Sequence, residues 1–190
     1  MTIASATVSP TRRTGVAFVL ALVAAVAFAA DALAVDPSVQ APNVVPISAR
    51  LVTSGQPTAD ALSRLASLGF GAVIYLAPPT VQDAIPGEAE IIRKQGLEFV
   101  NIPIKFSDPT DADFRSFVGA MDGFRDRKVL VHCQVNFRAS SMTFLYRVII
   151  RHENPEQAYQ AVTRVWVPDG AWKRFLVSQL RKEGIDFEPY

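Results

Sequence analysis

Residues 128–140 have the sequence KVLVHCQVNFRAS, in which an apolar run meets a polar loop and the start of a helix. The run at 128–132 predicts a strand, and the apolar segment at 138–151 predicts a helix. In α/β sheets, ligands bind outside the carboxyl ends of the strands. The loop between this strand and this helix therefore lies where a functional site is expected. It also holds the single cysteine of the chain, Cys133.

Strand and helix patterns alternate on both sides of this stretch. Residues 71–76, GAVIYL, form a continuous apolar run, which is typical of a strand buried on both faces. Further extended segments are predicted at 44–52 and 97–104. Helices are predicted after Thr58, at 87–95, around 114–124, after Asn154-Pro155 and after Asp169, with Thr58, Asn154 and Asp169 as helix caps. This alternation predicts an α/β domain with a mainly parallel central sheet flanked by helices.

The composition is that of an ordinary globular protein. The 190 residues are 49% hydrophobic and 19% charged, with a formal charge of +1. These values exclude a disordered, collagen-like or disulfide-scaffold chain. The balanced charge offers no basic surface for nucleic acid, so no nucleic-acid partner is expected. One cysteine and two histidines show no metal-ligand spacing, and we expect neither a metal site nor another cofactor.

The N-terminal region has the three parts of a secretory signal peptide, namely basic residues, an apolar run and a small-residue cleavage site. These parts are Arg12-Arg13, residues 15–30 and Ala32-Leu33-Ala34. The run is shorter than the ~20 residues that a membrane-spanning helix needs. We therefore expect a signal peptide over 1–34, cleaved after Ala34. An uncleaved anchor is the alternative.

Cleavage at that position predicts a periplasmic or secreted protein without stable membrane insertion. Residues 35–43, VDPSVQAPN, are polar and contain proline, which predicts a flexible lead-in. Residues 44–190 are then the folded domain, which is large enough for a hydrophobic core.

The loop after the strand at 128–132 combines groups that suit phosphoryl transfer to sulfur. Its free backbone N–H groups and those of the helix N-terminus form an anion-binding concavity, and the same field favours the thiolate of Cys133. Arg138 can bind two oxygens of an oxyanion. The alternative for Cys133 is an inert buried thiol, and the alternative for Arg138 is a surface ion pair. The backbone donors are expected from Gln134, Val135, Asn136 and Phe137.

At these residues the chain resembles the cysteine-dependent protein tyrosine and dual-specificity phosphatase superfamily. The shared features are VHC with a nearby arginine at a strand–helix junction and PEQAYQAV at 155–162. The SGQPT turn at 54–58 and the VIYL strand at 73–76 look like the bacterial phosphatase-like branch. The likeness covers residues 44–183. It implies a three-layer fold and metal-independent hydrolysis of phosphomonoesters, such as phosphotyrosine or phosphoserine proteins, through a phosphocysteine.

The loop is one residue shorter than the family pattern, which has five residues between cysteine and arginine. Aligned without a gap, Asn136 takes the position of a glycine, where asparagine is the next best residue for a left-handed backbone. Ala139 then stands where the arginine belongs. In the alternative, the loop is shortened and Arg138 still faces the anion. The sequence leaves both arrangements open.

The resemblance also assigns two supporting residues. His132 is expected to hold the loop by hydrogen bonds. Ser140 is expected either to help expel the thiolate in the second step or to cap the first turn of the helix.

The family also uses an aspartate as general acid, on a loop after the preceding strand. The segment KFSDPTD at 105–111 and the residues after it offer three candidates. Asp108 is the first choice because it comes first after the strand, Asp111 is the reserve, and Asp113 is the remaining candidate. The alternative for Asp108 is a cap and first-turn pair with Pro109.

The leading functional prediction is an exported cysteine phosphatase that acts on a phosphorylated substrate. One alternative is a phosphatase-like protein that binds an anion or a phosphoprotein with little or no turnover, which a displaced Arg138 favours. Another is a rhodanese-like sulfurtransferase, whose cysteine loop is also short. The segments VIYLAPP and VPDGAW fit the usual rhodanese motifs poorly.

Overall fold

The computed structural model describes Met1, Thr2, Ala4 and residues 39–190. The chain separates into two units, Met1–Asp31 and Ala32–Tyr190, and the strands and helices described below belong to the second. Apart from positions 1, 2 and 4, the signal peptide predicted at 1–34 lies outside the described residues. Within the described part of the chain, no helix has the length and apolar character needed to cross a membrane.

Five strands form one sheet. They are β1 (Val45–Ser48), β2 (Leu51–Ser54), β3 (Ala72–Tyr75), β4 (Glu98–Asn101) and β5 (Val129–His132). Their order in the sheet is β1-β2-β5-β3-β4. The β1–β2 pair is antiparallel, whereas the β2–β5, β5–β3 and β3–β4 pairs are parallel. The predicted mainly parallel sheet is confirmed, and β5 lies at its centre.

Helices cover both faces of this sheet. They are α1 (Ala59–Ser63), α2 (Glu88–Arg93), α3 (Asp111–Gly123), α4 (Phe137–Leu145), α5 (Pro155–Thr163) and α6 (Gly170–Lys182). Val73 and Leu130 pack with α1 and α2 in one apolar cluster, and Ile74 and Val131 pack with α3 to α6 in the other. Successive strand residues face opposite sides of a sheet, so β3 and β5 are buried on both faces. The three-layer α/β fold is therefore confirmed.

The extended segment predicted at 44–52 is two strands rather than one. β1 ends at Ser48 and β2 begins at Leu51, and the N–H of Arg50 donates to Ser48 Oγ at 3.2 Å in the turn between them. Residues 49–50 are Ala-Arg, which carry none of the usual turn signals. The apolar pattern therefore continued through the turn, and for this reason the sequence predicted one strand.

The helix predicted at 138–151 also divides. α4 ends at Leu145, and a π-helical turn follows over Tyr146–Ile150, with the N–H of Arg151 donating to Tyr146 O at 3.1 Å. The two forms have similar apolar patterns, so the sequence did not distinguish them.

Two of the three predicted helix caps form. Thr58 Oγ1 accepts from the N–H of Ala61 at 3.1 Å, and Asn154 Oδ1 accepts from Gln157 at 3.1 Å ahead of Pro155. Asp169 precedes α6, but its side chain makes no cap bond, which corrects that prediction.

Residues 39–43, which belong to the lead-in predicted at 35–43, pack against the domain. Val39 is buried, the carbonyl of Gln40 accepts from the N–H of Thr58 at 3.0 Å, and the carbonyl of Pro42 accepts from Gly55 at 2.7 Å. Polar, proline-containing composition did not reveal these bonds because they use the backbone.

Candidate active site

Cys133 follows directly after β5 at the carboxyl end of the central strand. Its side chain is fully buried, and its N–H donates to the carbonyl of Ser54 at 3.3 Å, at the end of the neighbouring strand β2. The parallel pairing of β2 and β5 brings the SGQPT turn beside the cysteine, because both strands end at the same edge of the sheet. We refer to residues 133–138 as the cysteine loop.

Several backbone N–H groups of the cysteine loop have no hydrogen-bond acceptor within residues 39–190. In residues 39–190, the N–H groups of Gln134, Val135, Phe137 and Arg138 donate to no acceptor. Two of these groups belong to the first turn of α4, whose N–H groups have no partner within the helix and whose dipole favours an anion. Such an arrangement can bind the oxygens of a phosphate.

Asn136 gives the loop its curvature. Its backbone is left-handed, with φ 71° and ψ 0°, as its place at the family's glycine position predicts. The side chain is buried and donates from Nδ2 to the carbonyl of Asn43 at 2.6 Å and to Thr53 Oγ1 at 3.1 Å. Asn43 donates in turn to the carbonyl of Val135 at 3.0 Å. These bonds offset the cost of a left-handed non-glycine residue, on the order of 1 kcal/mol.

Gly55 allows the SGQPT turn to lie against the loop. The N–H of Gln56 donates to the carbonyl of Gln134 at 2.9 Å, and Gly55 bridges to Val135. A Cβ atom at Gly55 would lie 2.7 Å from the carbonyl oxygen of Gln134, a distance that real side chains do not show. Glycine is therefore required here for close backbone approach.

Arg138 is buried and turned toward the cysteine loop. Its Nε donates to the carbonyl of Ile104 at 3.0 Å, and Nη1 lies 3.4 Å from Gln134 Oε1. Its guanidinium also lies over the ring of Phe106, 5.0 Å from the centroid. This orientation is the one required by the shortened-loop alternative. Ala139, the residue in the arginine position of the ungapped alignment, is buried in α4.

His132 is held by a buried carboxylate. Its Nε2 lies 2.7 Å from Glu88 Oε1 in the first turn of α2, and Gln56 Nε2 donates to the other carboxylate oxygen at 2.9 Å. The ring stacks on Tyr75 with centroids 4.7 Å apart. Burial raises the pKa of Tyr75 to about 12, and the nearby charges of Glu88, Asp83 and Cys133 add to the effect. This network ties the strand end to α2 and to the SGQPT turn.

The sequence reasoning missed Glu88 and Asp83. Gln134 Nε2 donates to Asp83 Oδ1 at 2.9 Å, so the loop between β3 and α2 supplies a carboxylate beside the cysteine loop. Neither acid lies in a recognisable motif, and each lies more than 40 residues before its partner. The SGQPT turn was the one local signal in the sequence for the polar neighbours of the cysteine loop, because it contains Gln56.

Two of the three aspartates considered as general acid have structural partners. Asp111 accepts from Lys182 and Gln179 of α6, and these bonds hold the pKa of Asp111 below its usual value. Asp113 accepts from Thr110 at 2.8 Å from the backbone N–H, within a capping box that begins α3. Asp111, the reserve, and Asp113 are therefore engaged in folding contacts.

Asp108 is exposed, and its side chain makes no hydrogen bond in the described part of the chain. The alternative in which Asp108-Pro109 begins the helix is wrong, because Thr110 is the cap. Asp108 lies two residues after Phe106, whose ring touches Arg138.

The hydroxyl of Ser140 donates to the carbonyl of Phe137 at 3.2 Å, within the first turn of α4. The ring of Phe137 stacks on Trp166 at 4.4 Å, and Phe106 lies against both rings, 6.3 and 5.9 Å away. Phe106 is 40% exposed. An aromatic wall formed by Phe106, Phe137 and Trp166 therefore flanks the cysteine loop on the side of Arg138. Over residues 39–190, no group of three or more His, Cys, Asp or Glu side chains is arranged to hold a metal ion.

The sequence matches the family described as a DSP-PTPase phosphatase fused to NAD+ kinase over residues 33–173. The chain is also 33% identical over 110 residues to a beta-lactamase hydrolase-like protein of Xylella fastidiosa, covering 56% of this chain and 25% of the relative. The same protein from a second strain gives the same values. The chain thus spans about a quarter of the length of these curated relatives.

Solved structures are also similar to this chain in fold. A DUF442 protein from Shewanella putrefaciens CN-32 is 28% identical, with a TM-score of 0.68 over 75% of this chain and 92% of that one. The TpbA protein of P. aeruginosa is 22% identical, with a TM-score of 0.57 over 80% and 89%. At 22% identity the second likeness concerns the fold alone. Since the family match covers most of the chain, the protein belongs to this family of cysteine-dependent, dual-specificity-like phosphatases.

Proposed function

We propose that the chain is an exported, metal-independent cysteine phosphatase that hydrolyses phosphomonoesters through a phosphocysteine intermediate. The observation that carries the proposal is the set of unpaired backbone N–H groups in the cysteine loop, beside Cys133 and the buried guanidinium of Arg138. Donors fixed before the substrate arrives stabilise the charge that develops on the phosphoryl oxygens without reorganising. The export step rests on the signal peptide predicted at 1–34.

In the first step, the Cys133 thiolate attacks phosphorus. A sulfur–phosphorus bond forms, the bond from phosphorus to the leaving oxygen breaks, and Asp108 gives its proton to that oxygen. In the second step, water attacks phosphorus, Asp108 accepts a proton from the water, and the thiolate leaves with its electron pair. We propose that the hydroxyl of Ser140, which lies in the first turn of α4, assists this departure.

The aromatic wall supports an aryl phosphate as substrate. Phe106, 40% exposed beside Arg138, gives an aromatic leaving group an apolar surface next to the phosphate site. We therefore propose phosphotyrosine rather than phosphoserine as the substrate, because only an aromatic side chain would pack on the surface of Phe106.

The proposal is tested by p-nitrophenyl phosphate hydrolysis with the reduced chain across mildly acidic and neutral pH. We expect turnover that vanadate inhibits, because vanadate adopts the five-coordinate geometry of the transferring phosphorus. A chelator should leave the rate unchanged. A folded, reduced chain that binds phosphate without hydrolysing the ester would contradict the proposal.

Replacing Asp108 by asparagine tests the general acid. We expect kcat for phenyl phosphate to fall about 10²-fold, because phenolate is a poor leaving group without a proton. The loss should be smaller for p-nitrophenyl phosphate, whose leaving group needs little protonation. The readout is the ratio of the two kcat values.

Asp83→Asn is the matched control, since it also removes one carboxylate near the cysteine loop. It should leave that ratio unchanged. If Asp83→Asn changes the ratio and Asp108→Asn does not, the acid is Asp83 and the assignment of Asp108 is wrong.

A second candidate function is anion binding with little turnover. It is favoured by the complete burial of Cys133 and by the bond from Arg138 Nε to the carbonyl of Ile104, which occupies one donor of the guanidinium fork. Phosphate binding without hydrolysis in the same assay would support it. The family match favours either reading over a sulfurtransferase.

A further inference from the structure

A second concave site lies at the other end of β5. It is a cavity of about 260 Å³, lined from the β1–β2 turn, from the end of α3 and the residues after it, and from the π-helical turn and the residues after that. β5 begins at Val129 in the wall of this cavity and ends at His132, beside the cysteine loop. At 3.3 Å per residue, the strand separates the two sites by roughly 10 Å.

Arginine dominates the lining. Of the fourteen arginines in the chain, five line this cavity, namely Arg50, Arg125, Arg127, Arg147 and Arg151. The single acidic side chain in its described lining is Glu153. The chain as a whole carries a formal charge of +1, so this cavity concentrates positive charge that the composition does not suggest. We call it the arginine cavity.

Most of these charges lack a strong partner. Arg147 is paired with Glu153 at 2.7 Å and is largely buried, which fixes its guanidinium in the wall. The side chains of Arg50 and Arg151 make no ion pair or hydrogen bond in the described part of the chain. Two guanidinium groups therefore have all their donors free beside a third that is fixed.

The other two arginines have weak partners. Arg125 lies 3.6 Å from Asp126, and Arg127 lies 3.9 Å from Glu98, with all four side chains substantially exposed. Arg127 Nη1 also donates to the carbonyl of Gly71 at 3.3 Å. Exposed pairs at these distances contribute little. Neither pair would prevent its arginine from binding a stronger anion.

The π-helical turn and the residue after it carry two of the arginines that line the cavity, Arg147 and Arg151. Its bond from the Arg151 N–H to the Tyr146 carbonyl, 3.1 Å long, places residue 151 above residue 146 and beside Arg147. Arg147 and Arg151 are four positions apart, a spacing that places two side chains on one face of a helix. Turns of the π-helical type are rare and often occur at functional sites.

The floor of the arginine cavity is apolar. Met121 and Val129 are buried there, with Leu51 half-buried beside them. A floor that excludes water strengthens the attraction between the guanidinium groups and an anion.

We propose that the arginine cavity binds a phosphate-bearing polyanion of about the size of pyrophosphate, independently of the cysteine loop. A guanidinium fork matches two phosphate oxygens, and several forks that converge from separate elements favour a ligand with more than one phosphate oxygen pair. The source of such a group is a free polyphosphate or the headgroup of an anionic lipid. Both sources would present phosphate oxygens to the guanidinium groups of the cavity.

The test is calorimetric titration of the full chain with pyrophosphate at low and at moderate salt. The variant is Arg50→Ala/Arg151→Ala, which removes the two unpaired arginines. The matched control is Arg115→Ala/Arg164→Ala, which removes the same charge from exposed arginines outside the cavity. We expect the cavity variant to bind pyrophosphate at least about tenfold more weakly than the parent, because it loses charge-assisted hydrogen bonds. The control should bind pyrophosphate with the affinity of the parent.

Arg50 and Arg151 are exposed, so the cavity variant should keep the melting temperature of the parent. Arg50→Gln/Arg151→Gln, which keeps most of the side-chain length, should show the same loss of affinity. Titration of Arg138→Ala separates the two sites, because it alters the cysteine loop and should leave the cavity's affinity unchanged.

Vesicles of cardiolipin, whose headgroup carries two phosphates, in phosphatidylcholine distinguish the source of the ligand. Co-sedimentation that the cavity variant loses and the control keeps would support the proposal and assign the phosphate to a lipid headgroup. Equal weakening in the cavity variant and the control would overturn the proposal, since it would reflect net charge alone. Absence of binding to both pyrophosphate and vesicles at low salt would also overturn it.

Discussion

Replacing Cys133 by serine should abolish phosphomonoester hydrolysis, with a loss in kcat of at least about 10³-fold. The thiolate is the nucleophile in the proposed reaction, and a serine hydroxyl at the same position stays protonated near neutral pH and is a much weaker nucleophile. The measurement is single-turnover hydrolysis of p-nitrophenyl phosphate by parent and variant under reducing conditions.

The same variant should retain the phosphate site. The donors in the cysteine loop are backbone N–H groups, which a change of side chain at Cys133 leaves in place. Phosphate should therefore still raise the melting temperature of Cys133→Ser, as ligand binding to the folded state requires. Undiminished hydrolysis by a folded Cys133→Ser would exclude the phosphocysteine mechanism.

Replacing Arg138 by lysine should lower kcat/KM about 10²- to 10³-fold, the range for removing a donor that stabilises transition-state charge. Lysine keeps the positive charge but has no planar fork to bind two oxygens. It also loses the geometry with which Nε donates to the carbonyl of Ile104. We expect a loss of about 1–3 kcal/mol in the free energy of unfolding, because that carbonyl would be left without its donor.

Arg164→Lys is the control for Arg138→Lys, because Arg164 is exposed and lies outside the cysteine loop. It should leave kcat/KM and the denaturant midpoint unchanged. Vanadate inhibition should weaken in Arg138→Lys and remain in the control. Parent-like kcat/KM in a folded Arg138→Lys would remove Arg138 from the phosphate site and reopen the ungapped alignment, in which Ala139 takes the arginine position.

The parts of the site that the sequence predicted correctly are local in the chain. The left-handed backbone at Asn136 follows from one residue type and its place relative to Cys133. The free N–H groups follow from a strand, a short loop and a helix in succession, since every helix begins with unpaired donors. Such features depend on a few neighbouring residues, which a single sequence contains.

The parts that the sequence missed join distant segments. Asn43 bonds to the loop across more than 90 residues, and Asp83 reaches Gln134 across 51. The pairing of His132 with Glu88 depends on where α2 packs, and no periodicity reports that. The assignment of Asp111 to a folding contact likewise required the position of α6, whereas the capping box of Thr110 and Asp113 is a local feature that spans three residues.

By itself, the sequence determined the three-layer α/β domain, the place of Cys133 at the end of a buried strand and the family to which the loop belongs. These depend on apolar runs and turn residues, whose effect is exerted within a few positions of the chain. Only the tertiary structure decided that Arg138 turns back to the loop, that Glu88 lies against His132 and that five arginines converge at the far end of β5. The physical reason is that side-chain partners are chosen by packing between elements, and packing brings together residues whose separation along the chain carries no pattern.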